Sequence, residues 1–213
     1  MCSAKINLTL IKALNFNSMV IKASKSLGFI CEARSSALEA GEFKLAVDPE
    51  ENNEKNNDKI TLTLKTATKL PFSPYTSLNL VQGAGDYEVS DVKILGIPLA
   101  KESDAKRLRT AYMVTMDGMN LFFLGDVKAD LGEDFLEDIG EIDLFFVSGE
   151  ADPKEVLALI KNIEPRIVIC GSDKSVKILS SELGQSVEPV DKISFKRKDI
   201  EGEGTKLVWL KEK

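Results

Sequence analysis

Apolar and polar residues alternate over much of the first 125 residues, and this pattern is typical of half-buried β-strands. The alternating segments are residues 5–14, 18–23, 27–33, 43–47 and 59–68. Two more strands are predicted between residues 78 and 99, on either side of a bend at Gly83-Ala84-Gly85. The dipeptide Asp117-Gly118 predicts a tight hairpin turn between strands 110–116 and 120–124.

The pattern changes after residue 130, where helical periodicity alternates with short apolar runs. Helices are predicted at residues 131–139, 153–163 and 175–183, and strands at 142–147, 166–170, 192–196 and 206–210. Asp152 and Pro153 are a typical cap and first residue of a helix. A Gly-rich turn at residues 201–204 joins the last two strands.

The whole chain is predicted to form one α/β domain over residues 1–213, with strands packed into sheets and helices outside them. No Gly-, Ser- or Pro-rich linker and no internal repeat divides it. The polar, Asn-rich run EENNEKNND at residues 50–58 predicts an exposed, mobile loop.

The chain contains no histidine, and this absence excludes several kinds of chemistry. Without an imidazole, neither a Ser-His-Asp nor a Cys-His nucleophile can operate. Histidine-based zinc and iron sites are excluded for the same reason. The three cysteines, Cys2, Cys31 and Cys170, are too few for a four-cysteine zinc site. Cys31 and Cys170 stand in apolar runs, which predicts buried thiols.

Charge and cysteine usage restrict the partners and the compartment. The formal net charge of −6 disfavours binding to nucleic acid. No apolar run reaches the roughly 20 residues that cross a bilayer, so no membrane partner is expected. The start of the chain lacks the features of a signal peptide. The odd number of cysteines, without C-x-x-C spacing, indicates a reducing, cytoplasmic setting.

An ordered series of motifs in the middle of the chain resembles a known family. The series consists of GAGDYEVSDVKILGIPL at 83–99, TAYMVTMDGMNLFFLGD at 110–126, LGEDFLEDIGEIDLFFVSG at 131–149 and EVLALIKNIEPRIVICGSDKS at 155–175. It resembles the metallo-β-lactamase superfamily, and within it the small proteins similar to ascorbate-6-phosphate lactonase. Asp48-Pro49 also matches the I-D-P that ends an early strand in that branch, although Asp-Pro is in the first place a turn builder.

The resemblance implies a four-layer αβ/βα sandwich in which strand ends and loops hold two zinc ions through histidines and two aspartates. A metal-bound hydroxide would then attack an ester, amide or phosphodiester. The family's T-H-x-H-x-D-H loop would fall in residues 62–72, which read LTLKTATKLPF. Two further family histidines would fall near Ala129 and Ser172. Of the usual ligands, only the metal-bridging aspartate is kept, as Asp126.

Several carboxylates lie near the expected site in the sequence and allow a different metal centre. They are Asp126, Asp130, Glu150, Asp152 and Asp173. Oxygen ligands suit Mg²⁺ or Mn²⁺ better than zinc. However, four lysines occupy the same segments: Lys65, Lys69, Lys128 and Lys174. We therefore expect salt-bridged or solvated carboxylates, a turn-forming role for Asp126 and no cofactor. The alternative is Mg²⁺ or Mn²⁺ on Asp126, Asp130 and Asp173.

These observations lead to three hypotheses about function. The first is a catalytically inactive binding or scaffolding protein on a metallo-β-lactamase-like fold, whose partner is a second copy of itself or an active relative. The second is a metal-dependent hydrolase of phosphodiesters or esters that uses Asp126. The third is a module for a small molecule or nucleotide, held by Lys65, Lys69, Lys128 and Lys174 in place of the metals.

Overall fold

Two β-sheets and a layer of helices make up the part of the chain that the computed structural model describes. This part comprises residues 16–23, 29–35, 43–48, 60–72, 79–89, 91–116, 118–125, 135, 139–147, 151–195, 200, 202 and 204–211. Its helices are too short to traverse a lipid bilayer.

The first sheet has six strands in the order β14-β1-β2-β3-β4-β6. Their bounds are β1 Phe16–Ala23, β2 Phe29–Ser35, β3 Phe43–Val47, β4 Ile60–Lys65, β6 Leu80–Gln82 and β14 Lys192–Phe195. Strands β3, β4 and β6 run parallel to one another, so their carboxyl ends lie together at one edge of the fold.

The second sheet has nine strands, eight of them in the order β13-β15-β12-β11-β10-β9-β8-β7, with β5 paired to β9. Their bounds are β5 Ala67–Lys69, β7 Gly85–Val89, β8 Val92–Pro98, β9 Arg107–Met116, β10 Met119–Phe123, β11 Leu144–Val147, β12 Ile167–Cys170, β13 Pro189–Val190 and β15 Lys206–Leu210. Helices α1 (Pro153–Ile163) and α2 (Asp173–Glu182) follow β11 and β12.

Two hydrophobic cores lie on the two faces of the second sheet. Along β9, Tyr112 and Val114 point into the core between the sheets, whereas Ala111 and Met113 point into the core beneath the helices. The neighbouring strands alternate in the same way, with Phe123 on Phe146 between the sheets and Phe122 on Phe145 beneath the helices. Because both faces are covered, β11 and β12 are continuously apolar.

The local signals in the sequence place most of these elements correctly. Strands β9 and β10 pair antiparallel as predicted, with Met116 opposite Met119. The Asp152 side chain caps α1 by accepting a hydrogen bond from the Lys154 backbone N–H at 2.9 Å, and α1 spans the predicted residues. Cys31 and Cys170 are buried, as predicted.

Two predictions of strands need correction. The single strand predicted at 59–68 is two strands, β4 and β5, which belong to different sheets. The region 78–99 holds three strands rather than two. The last two predicted strands are both present as β14 and β15, and they belong to different sheets, because β14 pairs with β1 and β15 with β12.

Several predicted features lie outside the described residues: the strand at 5–14, the loop at 50–58, Cys2, and most of the helix at 131–139. Of that helix, Phe135 and Ile139 are described, and both are buried beneath the second sheet.

Candidate functional site

The chain passes from one sheet to the other at Thr66, and we call this point the crossing. Lys65 ends β4 in the first sheet, and Ala67 begins β5 in the second. At the crossing, the backbone N–H of Thr110 in β9 donates a 2.9 Å hydrogen bond to the carbonyl of Thr66. The crossing lies within the segment where the family resemblance places the metal-binding loop.

Asp48 fastens the crossing from the end of β3. Because β3 and β4 are parallel and Val47 lies beside Leu64, the next residue, Asp48, is within hydrogen-bonding reach of Thr66 just after β4. The Thr66 backbone N–H donates to Asp48 Oδ1 at 2.9 Å, and the Thr66 hydroxyl Oγ1 donates to Oδ2 at 2.5 Å. Asp48 has a positive φ of 45°, a conformation that aspartate tolerates better than most residues. A carboxylate at the end of β3 thus connects two strand ends.

The Asp48 carboxyl is held in an unfavourable place for a charge. Burial raises its pKa above the usual value for aspartate. The two hydrogen bonds from Thr66 act in the opposite direction, as do the positive charges of Lys65 and Arg109. The local protein environment therefore compensates part of this buried charge.

Gly125, the glycine of the L-G-D motif at residues 124–126, lies against the same crossing. Gly125, just after β10, has a φ of +76°, and a Cβ built on it would overlap the Thr66 side chain. Only glycine fits there without displacing Thr66. Asp126, the next residue, lies outside the described residues. The structure thus brings the glycine of the motif against the Asp48–Thr66 pair.

Hydroxyl groups, rather than imidazoles, surround the crossing. Thr66, Thr68 and Thr110 are buried. The Tyr112 hydroxyl donates to the carbonyl of Lys65 at 3.1 Å and lies 3.5 Å from that of Gly83. Burial raises the pKa of Tyr112, and the nearby Tyr87 and Asp48 raise it further, so this phenol stays neutral. The result is a neutral hydrogen-bonding cluster around one carboxyl.

This donor set does not fit the zinc pair that the family resemblance implies. Zinc in proteins takes imidazole nitrogen, thiolate or carboxylate ligands, and threonine hydroxyls are not among them. In the part of the chain that the structure describes, no three His, Cys, Asp or Glu side chains come together at a spacing that could hold a metal ion. Lys65 and Arg109 add positive charge beside Asp48, the carboxyl that the described residues bring to the crossing, and this positive charge disfavours a cation.

The predicted lysines occupy two separate places. Lys65 and Lys69 lie on either side of the crossing, the first half-buried and the second exposed. Lys174 is exposed in the first turn of α2, which follows a different strand, β12. Lys128 lies outside the described residues. The structure therefore brings Lys65 and Lys69 to the crossing and puts Lys174 on another element.

The predicted carboxylates have other partners or lie outside the described residues. Asp173 forms an exposed ion pair with Lys211, with Nζ and Oδ2 3.0 Å apart. Asp152 caps α1. Asp126, Asp130 and Glu150 lie outside the described residues, so the Mg²⁺ or Mn²⁺ alternative stays a prediction.

Neither described cysteine has the character of a nucleophile. Burial raises the pKa of the Cys170 thiol to about 11, so it is protonated at neutral pH. Cys31 is also buried, between the two sheets.

Four residues of the crossing were not singled out from the sequence: Thr66, Arg109, Thr110 and Tyr112. The sequence contains one indication of them. The polar residues at 66, 68, 110 and 112 occupy the same alternating positions as the apolar residues that face the inside of the fold. In strands, residues two apart face the same side. Buried hydroxyls at alternating positions therefore indicate a polar cluster inside the fold.

Comparison with known families supports the expected fold. A family model described as the beta-lactamase superfamily domain matches residues 32–170. Among curated proteins, nothing matches the chain.

Three solved structures have similar folds. A proposed Zn-dependent hydrolase of the metallo-β-lactamase superfamily from Thermotoga maritima is 19% identical, with a TM-score of 0.62, over 92% of this chain and 100% of that one. Igni18, a metallo hydrolase from the archaeon Ignicoccus hospitalis, is 12% identical, with a TM-score of 0.53, over 84% and 99%. CmlA, a diiron β-hydroxylase from Streptomyces venezuelae, is 11% identical, with a TM-score of 0.54, over 84% of this chain and 54% of CmlA.

At these identities the structural neighbours inform on the fold alone, and they confirm the predicted metallo-β-lactamase-like α/β fold. The family model covers more than half of the sequence. This chain belongs to the metallo-β-lactamase superfamily, as a beta-lactamase superfamily domain.

Proposed function

We propose that this chain is a non-catalytic member of its superfamily that acts as a binding or scaffolding module. The observation that carries the proposal is the hydrogen bonding and packing of Thr66, which lies in the segment where the resemblance places the metal-binding loop. Its hydroxyl and its backbone N–H both donate to Asp48, and its side chain packs against Gly125. The position serves to hold three chain segments together.

The composition of the whole chain supports the same conclusion. A single lost histidine would weaken a zinc site, but this sequence contains none. Meanwhile, the strands, the hairpin and the helices after β11 are kept. A scaffold that persists without its usual metal ligands is compatible with a binding role, because one fold can host many functions.

We also place the chain in the small lactonase-like branch, as a member with a degenerate metal site. The ordered motifs between residues 83 and 175 support this assignment. The partner in the proposed role is a second copy of the chain or an active relative, in a reducing cytoplasm.

One observation favours an alternative, a Mg²⁺- or Mn²⁺-dependent hydrolase of phosphodiesters or esters. Gly125 packs on Thr66, whose hydroxyl donates to the Asp48 carboxyl, and the next residue in the sequence is Asp126. Carboxylate oxygens are ligands that Mg²⁺ and Mn²⁺ accept in proteins. The positive charges of Lys65 and Arg109 beside Asp48 weigh against this alternative.

Metal analysis of protein purified without chelator tests the proposal. We expect zinc, manganese and iron far below one ion per chain by inductively coupled plasma mass spectrometry. Zinc near one or two ions per chain would overturn it.

An activity assay separates the proposal from the hydrolase alternative. The substrate is bis(p-nitrophenyl) phosphate, with Mg²⁺ or Mn²⁺ added, and we expect no metal-dependent turnover. The variants are Asp126→Asn and, as a control for the loss of one carboxylate, Asp86→Asn on exposed β7. Turnover that disappears in the Asp126 variant and persists in the Asp86 variant would establish the hydrolase instead.

A further inference from the structure

The ribbon formed by β5 and the first residues of β9 gathers basic side chains on one face. In this antiparallel pair, Lys69 lies opposite Arg107 and Ala67 opposite Arg109. Residues directly opposite, and residues two apart, point to the same side of a sheet. Lys69, Arg107 and Arg109 therefore share one face of the ribbon, which we call the basic face.

Burial confirms which way the ribbon is turned. Thr68 is buried and lies opposite Leu108, so these two side chains point toward the inside of the fold. Lys69 and Arg107, one position away on each strand, are exposed. Arg109 is half-buried, next to the apolar Ala111 that faces the helix layer. The basic face thus begins at the solvent and runs into the protein.

Within the described residues, the positive charges of the basic face are not neutralised by ion pairs. In the described part of the chain, no carboxylate forms an ion pair with Lys69, Arg107 or Arg109. Like charges directly opposite each other, as Lys69 and Arg107 are, destabilise a sheet. Uncharged or oppositely charged residues could occupy these solvent-facing positions without repulsion. The pair of Lys69 and Arg107 therefore calls for an explanation other than the stability of the fold.

The turn before β9 fixes the geometry of the face. The side chain of Asp104 accepts hydrogen bonds from the backbone N–H groups of Lys106 and Arg107, at 2.7 and 2.9 Å. The Leu70 N–H donates to the Lys106 carbonyl at 2.8 Å, which joins the far ends of the two strands. The backbone that carries Arg107 is therefore held at both sides. Lys106 adds a fourth positive charge at this end of the ribbon.

The basic face also borders the crossing. Arg109 is close enough to Asp48 for its positive charge to lower the pKa of that carboxyl, against the larger effect of burial.

We propose that the basic face binds a phosphate group, either free or carried by a small organic molecule. The arginine guanidinium matches the oxygens of phosphate with two parallel hydrogen bonds, and here two arginines lie two residues apart on one strand. A lysine opposite them supplies a third positive charge. The overall charge of −6 disfavours a long polyanion, so a compact ligand is the better fit.

This inference rests on the proposed binding role and names the chemistry of its ligand. The two can fail separately. Zinc in the purified protein would overturn the proposed function, whatever binds to the ribbon. A ribbon that binds no phosphate would overturn the present inference and leave the metal analysis unaffected.

Isothermal titration calorimetry tests the inference with two probes at low salt, inorganic phosphate and glycerol 3-phosphate. We expect saturable binding of at least one of them, and tighter binding of the second would identify an organic phosphate as the ligand. Arg107→Gln and Lys69→Gln are each expected to weaken binding about tenfold, or 1.4 kcal/mol. The control is Lys177→Gln, which removes an exposed positive charge from α2 and is expected to change affinity less than twofold.

Two further measurements keep the test decisive. Arg107→Lys keeps the charge but loses the planar fork, so its affinity is expected to lie between those of wild type and Arg107→Gln. Thermal unfolding followed by circular dichroism checks that each variant is folded. Lack of binding of both probes, or an equal loss of affinity in Lys177→Gln, would overturn the inference, because the latter would indicate an adventitious ion only.

Discussion

Thr66 gives both of its hydrogen-bond donors to the carboxylate of Asp48, across the ends of two parallel strands. Thr66→Ala removes the hydroxyl and leaves one buried carboxylate oxygen without that donor. We expect the free energy of unfolding to fall by about 2 kcal/mol, the usual effect of losing a hydrogen bond to a charged group. Urea denaturation followed by circular dichroism measures it.

The control for this change is Thr66→Ser, which keeps the hydroxyl and loses only a methyl group. We expect Thr66→Ser to cost about 1 kcal/mol or less. If the serine variant were destabilised as much as the alanine variant, packing of the methyl group, rather than the bond to Asp48, would hold the crossing.

A second prediction concerns the dependence of stability on pH. Burial raises the pKa of Asp48 in the folded state, so the folded protein binds this proton more tightly than the unfolded chain, whose aspartate has a pKa of about 4. The resulting contribution to stability is fully present below that pKa. It is lost as the pH rises through the raised pKa of the folded state.

Comparison with Asp48→Asn isolates this contribution, since asparagine does not titrate. The free energy of unfolding of wild type minus that of Asp48→Asn is expected to fall as the pH rises from about 3 and then to level off. Chemical denaturation at a series of pH values measures the difference. A difference that rises with pH would mean that the hydrogen bonds from Thr66 outweigh burial and lower the pKa instead.

The crossing also shows where reading the sequence stops being sufficient. Residues 59–68 alternate without a break, and Thr66 and Thr68 are buried in the same phase as Leu62 and Leu64. No feature of the sequence in this segment indicates that the chain changes from one sheet to the other at Thr66. It is imposed by pairing with β9, more than 40 residues away, where the Thr110 N–H bonds to the Thr66 carbonyl. Long-range pairing of this kind leaves no trace in local periodicity.

Elements with local signals were predicted well for the converse reason. The α1 helix carries its own cap, Asp152, and its own first-turn proline, Pro153. The hairpin of β9 and β10 carries its own turn. For the site, the absence of histidine could be read from the sequence. The grouping of Arg107 and Arg109 with Lys69 on one face became visible only from the pairing of β9 with β5. Charge at a single position says little until its cross-strand neighbour is known.

A third prediction tests the contact between Gly125 and Thr66. Gly125→Ala adds a Cβ that overlaps the Thr66 side chain, at a backbone position with positive φ. We expect a loss of stability of about 3 kcal/mol, from strain at this φ together with displacement of Thr66. Thermal and urea unfolding measure it.

Gly140→Ala is the matched control, because Gly140 has a similar positive φ of +64° but open space where its Cβ would lie. It is expected to lose only about 1 kcal/mol, from the backbone conformation alone. Equal losses in the two variants would show that the contact with Thr66 contributes nothing.

A final prediction concerns the buried hydroxyl of Tyr112. It donates to the Lys65 carbonyl at 3.1 Å, just before the crossing, and its raised pKa keeps it a neutral donor. Tyr112→Phe leaves that carbonyl without this donor, so we expect the free energy of unfolding to fall by about 1 to 2 kcal/mol in urea denaturation.

Tyr87→Phe is the control, since the half-buried Tyr87 hydroxyl makes longer contacts, of 3.3 to 3.4 Å, to carbonyls of the β6–β7 bend. Its free energy of unfolding is expected to fall by less than about 0.5 kcal/mol. Similar losses in both variants would mean that the Tyr112 hydroxyl does not hold β4 in place. A selective loss in Tyr112→Phe would show that β9 secures the crossing through a side chain as well as through its backbone.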